Sequence, residues 1–256
     1  MRLTHVLGIA GGVALLSLTG VAAQHAAQRD RVLTAYEVVP DVRAPVPAPV
    51  VAAASGALQS SESRDGSVGA KAAAAVDPRW ARRTADAAGI PLPALTAYAR
   101  ASVLAPRECR IGWTTLAGIG WVESRHGTIG ERALGDDGRA TEPILGPALD
   151  GGDFAAIPAT SESARWHGDR DWDHAFGPMQ FISSTWSTWQ VDGDGDGVAD
   201  PHDIDDASLA AANYLCESGD LMVDDTWSRS IFSYNHSNDY VLDVYAAASA
   251  YADRTG

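Results

Sequence analysis

Apolar residues recur with helical spacing in several segments of the chain. In the last segment Val241, Val244, Ala248 and Tyr251 lie on one face of a helix, and Asn238 can cap its first turn. Runs with the alternation of β-strands are nearly absent. The pattern predicts a mainly α fold with long loops. The predicted helices cover residues 90–99, 112–124, 183–189, 206–218 and 238–252.

Three segments of different composition follow one another along the 256 residues. Residues 6–23 are apolar or small and follow a charged N-terminus, so we expect residues 1–30 to be an export signal or a retained membrane anchor. Residues 31–76 are rich in Ala, Pro and Ser, which is typical of a disordered linker. Residues 77–256 are predicted to form one folded domain outside the cytoplasm.

The charge of the chain excludes one large class of partners. Its formal net charge is -14, and Lys71 is its single lysine. Nucleic acids and anionic lipid surfaces are bound largely through lysine and arginine side chains. We therefore expect no nucleic-acid partner.

The chain has two cysteines, Cys109 and Cys216. In an oxidising compartment two such distant thiols are most simply explained by a disulfide. The alternative is a reactive cysteine nucleophile, but no Cys-His arrangement supports it.

One acidic residue lies on the apolar stripe of its predicted helix. Gly112, Leu116, Ile119 and Glu123 follow one another at spacings of four, three and four residues. Burial raises the pKa of a carboxyl group, as a general acid for a glycosidic oxygen requires. The alternative is a structural Glu123 paired with Arg125.

Residues 192–198 resemble the start of an EF-hand calcium loop. Aspartates occupy positions 1, 3 and 5, glycine position 6, and a backbone carbonyl is offered at position 7. The twelfth residue is Asp203 instead of the usual Glu, so either Asp203 or the later Asp206 closes the site. The alternative is a solvated acidic turn. The candidate ligands in the loop are Asp192, Asp194, Asp196 and the carbonyl of Val198.

Two further segments carry polar residues suited to binding a sugar. Gln180 follows a Gly-Pro turn and can hydrogen-bond an amide, although a buried turn explains this segment as well. Tyr234 and Asn235 precede the last helix, where they can orient an acetamido group or the carboxyl group of Glu123. His236 is interpreted as a polar loop residue.

Taken in order, residues 120–127 (GWVESRHG), 177–181 (GPMQF), the aspartate loop and residues 233–235 (SYN) resemble the soluble domain of lytic murein transglycosylases. The likeness is to the membrane-bound type B group and covers residues 78–251. It implies a lysozyme-like, α-rich fold with a structural calcium ion. It also implies cleavage of the β-1,4 bond between N-acetylmuramic acid and N-acetylglucosamine in peptidoglycan, at the cell wall.

The resemblance assigns roles to individual residues. Glu123 matches the single acid/base, which protonates the glycosidic oxygen and then takes the proton of the sugar's own 6-hydroxyl, leaving a 1,6-anhydro end. The last calcium ligand of the family falls on Asp206. The matched substrate-binding residues are Ser124, the hydroxyl residue beside the acid, with Gln180, Tyr234 and Asn235.

Residues 128–173 depart from the family pattern and leave two alternatives open. A carboxylate that faces Glu123 across the cleft would favour a hydrolytic muramidase. A non-catalytic, calcium-dependent wall-binding module would need no acid at all. The acidic candidates in this insertion are Glu131, Glu142, Asp153, Glu162, Asp171 and Asp173.

Overall fold

The computed structural model describes Ala44 and residues 76–152, 154–223 and 225–256. The predicted signal or anchor segment 1–30 and nearly all of the predicted linker lie outside the described residues, as does Asp153. None of the described helices is both long and apolar enough to cross a membrane.

The described part of the chain is mainly helical, which confirms the predicted fold class. All five predicted helices are present, with ends that differ by a few residues. The helices are α1 (Pro78–Ala88), α2 (Leu92–Leu104), α3 (Trp113–Ser124), α4 (Ala164–His167), α5 (Ser183–Trp189), α6 (Ile204–Cys216), α7 (Thr226–Tyr234) and α8 (Asn238–Thr255), with short 3₁₀ turns at Arg107–Cys109 and Ile129–Glu131.

Helix caps explain the differences at the helix ends. The side chain of Asp203 accepts a hydrogen bond from the backbone of Asp205, so α6 begins before the predicted start. Ser237, and not the predicted Asn238, caps α8 by accepting from the backbone of Tyr240. The sequence prediction missed α1, although Asp77 caps it and a proline follows at the first helical position.

Helix α3 lies in the core between α2 and α8. Two of its glycines permit this close packing. A Cβ atom on Gly118 would lie 2.8 Å from the carbonyl oxygen of Val244 in α8, and one on Gly120 would overlap the hydroxyl of Tyr98 in α2. The buried helix therefore has fixed neighbours on both sides, which holds its last turn in place.

A two-stranded antiparallel sheet joins the insertion to the segment that follows it. Strand β1 (Leu145–Ala148) pairs with β2 (His174–Phe176), with Leu145 opposite Phe176 and Ala148 opposite His174. Phe176 also pairs with Phe181 across the turn that carries Gln180. Strand β2 thus leads directly into one of the predicted sugar-binding segments.

The predicted disulfide is present. Cys109 and Cys216 are bonded, with their Cα atoms 5.2 Å apart. The bond joins the 3₁₀ turn before α3 to the end of α6, which are 107 residues apart in sequence.

Candidate active site and cation site

Glu123 lies in the last turn of α3 and is half-buried. Its Oε1 atom accepts a hydrogen bond of 2.6 Å from the hydroxyl of Tyr240, a buried residue of α8. The carboxyl group is therefore held by one partner while part of its surface stays open. This is the geometry that a general acid needs, because one oxygen must remain free for the substrate.

The pKa of Glu123 is raised to about 7, because the effect of burial exceeds the opposing effect of the hydrogen bond from Tyr240. The structural alternative, a pair with Arg125, is not formed among the described residues. The guanidinium of Arg125 lies 4.0 Å from the ring centroid of Trp121 instead. At neutral pH the Glu123 side chain thus exists in both protonated and ionised forms.

Ser124 is fully buried, which differs from its predicted role in substrate binding. Its hydroxyl donates a hydrogen bond of 2.6 Å to the carbonyl of Pro178 and accepts one of 2.8 Å from the backbone of Gly127. Because the Ser124 hydroxyl both donates and accepts within the protein, it joins the end of α3 to the turn at residues 177–181. Its buried hydroxyl does not reach the surface.

Tyr234 ends α7, and its hydroxyl donates to the carbonyl oxygen of Met179 at 2.8 Å. Its ring stacks on that of Tyr240 with centroids 6.5 Å apart and planes 6° from parallel. Burial and the charge of Glu123 raise the pKa of both tyrosines well above its ordinary value, so both hydroxyls remain donors at neutral pH. The predicted Tyr234 thus lies beside the acid.

The sequence prediction missed Tyr240. The residue lies four positions before Val244 and eight before Ala248, on the buried stripe of α8. A tyrosine there places a hydroxyl in the core, where it needs a partner. Its place on the buried stripe is visible in the sequence, but the sequence does not show that its hydroxyl contacts Glu123.

Gln180 and Tyr234 line the same cavity of about 230 Å³. Gln180 has a left-handed backbone (φ 50°), and its side-chain amide donates to the carbonyl of Gly177 at 2.9 Å. Asn235 is exposed at the end of α7. His236, also exposed, lines the cavity too. The structure therefore brings two of the predicted sugar-binding residues together, and one of them, Tyr234, stacks on the tyrosine that hydrogen-bonds Glu123.

No described carboxylate contributes to the pKa shift of Glu123, which arises from burial and from Tyr240. Among the candidates in the insertion, Asp173 is buried and accepts a hydrogen bond of 2.6 Å from the hydroxyl of Ser183. It also lies 3.1 Å from Nε2 of His167. Asp173 thus links the start of β2 to the start of α5. The remaining described candidates, Glu131, Glu142, Glu162 and Asp171, are exposed.

The aspartate loop forms a cluster of acidic oxygens. Carboxylate oxygens of Asp192, Asp194 and Asp206 lie within 4.8 Å of one another. Gly193 is required here, because a Cβ atom would lie 2.5 Å from the carbonyl oxygen of Asp205. Carboxylate oxygens without nitrogen or sulfur ligands suit a hard cation such as Ca²⁺. Within the described residues, this set fits a calcium ion.

Asp206 belongs to this cluster, whereas Asp203 does not. Asp206 is buried, and burial raises its pKa to about 6, a cost that a bound cation would offset. Asp203 instead lies near the guanidinium of Arg139 from the insertion, with an N–O distance of 3.6 Å. Asp196 lies outside the cluster, and its carboxylate accepts from the backbone of Val198 at 2.7 Å.

The aspartate loop is followed by a segment that packs against the turn carrying Gln180. Gly177 has a left-handed backbone (φ 77°), and a Cβ atom on it would overlap the carbonyl oxygen of Pro201. The turn at residues 177–181 therefore packs directly on the segment that leaves the loop.

Comparison with known families gives a match to part of the chain. Residues 166–227 match the family described as Transglycosylase SLT domain. This range contains Gln180 and all of the predicted calcium ligands, whereas Glu123, Tyr234 and Asn235 lie outside it. A comparison with curated proteins gave no match.

Two solved structures of the lytic transglycosylase Slt35 from Escherichia coli resemble the chain. One is a complex with bulgecin A (16% identity, TM-score 0.43), and the other is a complex with calcium (17% identity, TM-score 0.42). Each alignment covers 68% of this chain and 77% of the solved chain. The family match over residues 166–227 supports the prediction that the chain is an enzyme of the transglycosylase class.

Proposed function

We propose that the chain is a peptidoglycan lytic transglycosylase with Glu123 as its single acid/base. It cleaves the β-1,4 bond between N-acetylmuramic acid and N-acetylglucosamine and leaves a 1,6-anhydromuramic acid end. The observation that carries the proposal is the half-buried Glu123, with a pKa of about 7 and a hydrogen bond from Tyr240. The family match over residues 166–227 supports it.

The first step is protonation of the glycosidic oxygen. With a pKa near 7, a substantial fraction of Glu123 carries a proton at neutral pH. Because the hydroxyl of Tyr240 donates to Oε1, the proton resides on Oε2 and is transferred from there. As the carboxyl group ionises, the hydrogen bond from Tyr240 stabilises the carboxylate that forms.

The second step closes the sugar on itself. Positive charge on the muramic acid ring is stabilised by the sugar's own N-acetyl group, the substrate-assisted exception to the use of two carboxylates. Glu123, now a base, takes the proton of the 6-hydroxyl, whose oxygen forms the new bond to the anomeric carbon. No water is consumed.

The substrate is a glycan strand of the cell wall, so we place the enzyme outside the cytoplasm. Gln180, Tyr234 and Asn235 are proposed to bind the sugars next to the scissile bond. Ser124 is proposed to position Glu123 by joining the end of α3 to Pro178. We further infer that the domain has a lysozyme-like fold and belongs with the membrane-bound type B group, on the strength of the motifs at residues 120–127, 177–181 and 233–235.

The cation is proposed to be a structural calcium ion held by the cluster of Asp192, Asp194 and Asp206, with Asp196 and the carbonyl of Val198 completing the ligand set. When bound, it neutralises carboxylates that repel one another and orders the loop under the turn at residues 177–181.

Removal of calcium is expected to lower the melting temperature. A ligand present at about 100 times its Kd stabilises the native state by about 2.7 kcal/mol, which corresponds to roughly 5–10 °C for a domain of this size. The measurement is thermal unfolding with calcium and with a chelator. An Asp206→Asn variant should show little response to either, whereas an equal response would contradict the assignment of Asp206.

Tyr240→Phe is expected to slow cleavage by about 10- to 100-fold, the value of one hydrogen bond to a charged group. Since Tyr240 lowers the pKa of Glu123, its removal should also move the alkaline limb of the pH–rate profile to higher pH. Tyr245→Phe in the same helix is the matched control, because the Tyr245 ring packs on Trp227 away from the acid. An unshifted profile would contradict the role of Tyr240.

The proposed function is tested by the products released from purified peptidoglycan. Muropeptides with 1,6-anhydro ends are expected. Reducing muramic acid ends would indicate a hydrolase with a second carboxylate, and the absence of any release would indicate a wall-binding module.

A further inference from the structure

A row of aromatic rings leads away from Glu123. The ring of Tyr240 stacks on Tyr234, whose centroid lies 5.6 Å from that of Tyr214. Tyr214 in turn lies 5.9 Å from Trp189, at the end of α5. Except for the buried Tyr240, the residues of this row are half-buried, so they contribute to the surface as well as to the core.

The row runs from the lining of the cavity beside Gln180 to the lining of a second, larger groove. Tyr214 and Tyr234 line the first cavity, and Trp189 lines the second, which has a volume of about 450 Å³. Both cavities border α5 and the end of α6. The polar residues of the second groove are Glu108, Thr188, Gln190, Asn213 and Glu217.

The chemistry of this groove suits a sugar. An indole face packs against the C–H face of a pyranose, while planar amides and carboxylates bind its hydroxyl and acetamido groups. Glu108 and Glu217 are both exposed, and no described lysine or arginine lines the groove. Two carboxylates repel an anionic ligand but accept hydrogen bonds from a neutral one.

We propose that the groove at Trp189 binds an uncharged N-acetylhexosamine residue of the same strand that is cleaved at Glu123. This inference rests on the proposed function, because it extends the glycan from the acid along the row of aromatic rings. The groove would give the enzyme a preference for long strands over short fragments.

The test is calorimetric binding of N-acetylglucosamine oligomers to protein that carries Glu123→Gln, so that no cleavage occurs. Trp189→Ala is expected to weaken binding of the hexamer roughly 5- to 10-fold and to leave binding of the trimer unchanged. Trp189→Phe, which keeps an aromatic face, should restore most of the affinity. Melting temperatures establish that each variant is folded.

A second variant guards against misfolding, because Trp189 also packs on the core. Gln190 is exposed, so Gln190→Ala removes only an amide from the groove, and about a threefold loss for the hexamer alone is expected. Unchanged hexamer binding in both variants, or equal weakening of trimer and hexamer, would overturn the proposal. So would a parent protein that binds neither oligomer. Because the readout is binding, failure here is distinct from failure of the proposed reaction, which product analysis decides.

Discussion

Glu123→Gln is expected to slow glycan cleavage by about 10²- to 10⁴-fold, the usual contribution of a general acid/base. Glutamine has nearly the same shape as glutamate, and its carbonyl oxygen can still accept the hydrogen bond from Tyr240. The loss therefore reports proton transfer and not a change of fold. Cleavage is measured as soluble muropeptides released from purified peptidoglycan.

The matched control is Glu142→Gln, which changes an exposed carboxylate of the insertion and should leave the rate unchanged. Comparable rates for Glu123→Gln and the parent would contradict the assignment of the acid. A large loss in Glu142→Gln would instead indicate a second carboxylate and a hydrolase.

The same substitution should change how stability depends on pH. The pKa of Glu123 is raised from 4.5 to about 7, so the folded state binds this proton more tightly than the unfolded state. The parent therefore loses stability relative to Glu123→Gln as pH rises from about 4.5 to about 7. Melting temperatures at acidic and alkaline pH, with Glu142→Gln as reference, check the sign of this difference.

Removal of the disulfide is expected to have the largest effect on stability. The bond between Cys109 and Cys216 closes a loop between residues that are 107 positions apart in sequence. In the chain-entropy treatment such a loop contributes about 4–5 kcal/mol. A double Cys→Ser variant should thus melt about 10–20 °C lower than the parent.

Chemical denaturation of the parent and of this double variant measures the effect, each with and without a reducing agent. Reduction should destabilise the parent and leave the variant unchanged. A loss of less than about 1 kcal/mol in the variant would contradict the expected contribution of the loop.

The features that the sequence predicts well are those that depend on local spacing. The stripe of α8 places Val244 in the core, and Leu116 and Ile119 of α3 are buried as their spacing predicts. Helix α3 is buried on its other faces as well, and Glu123 near its end is half-buried. The disulfide follows from the presence of only two cysteines. In each case neighbouring residues, or simple counting, determine the outcome.

The features that it misses depend on contacts between distant segments. The hydroxyl of Ser124 donates a hydrogen bond to the carbonyl of Pro178, and Asp203 lies near the guanidinium of Arg139 in the insertion. No local sequence pattern predicts either contact. Tyr240 meets Glu123 across 117 residues. Helix α7 was missed because its sequence is rich in serine and polar residues, and its burial against α6 and α8 stabilises it.

The central claim is that Glu123 directs the sugar's own 6-hydroxyl, and not water, to the anomeric carbon. Digestion of purified peptidoglycan in H₂¹⁸O, followed by mass spectrometry of the muropeptides, tests it directly. The mechanism predicts 1,6-anhydro products that contain no ¹⁸O. New reducing muramic acid ends that carry one ¹⁸O atom would contradict it, provided that the label exceeds what a preformed reducing end takes up by exchange with water under the same conditions.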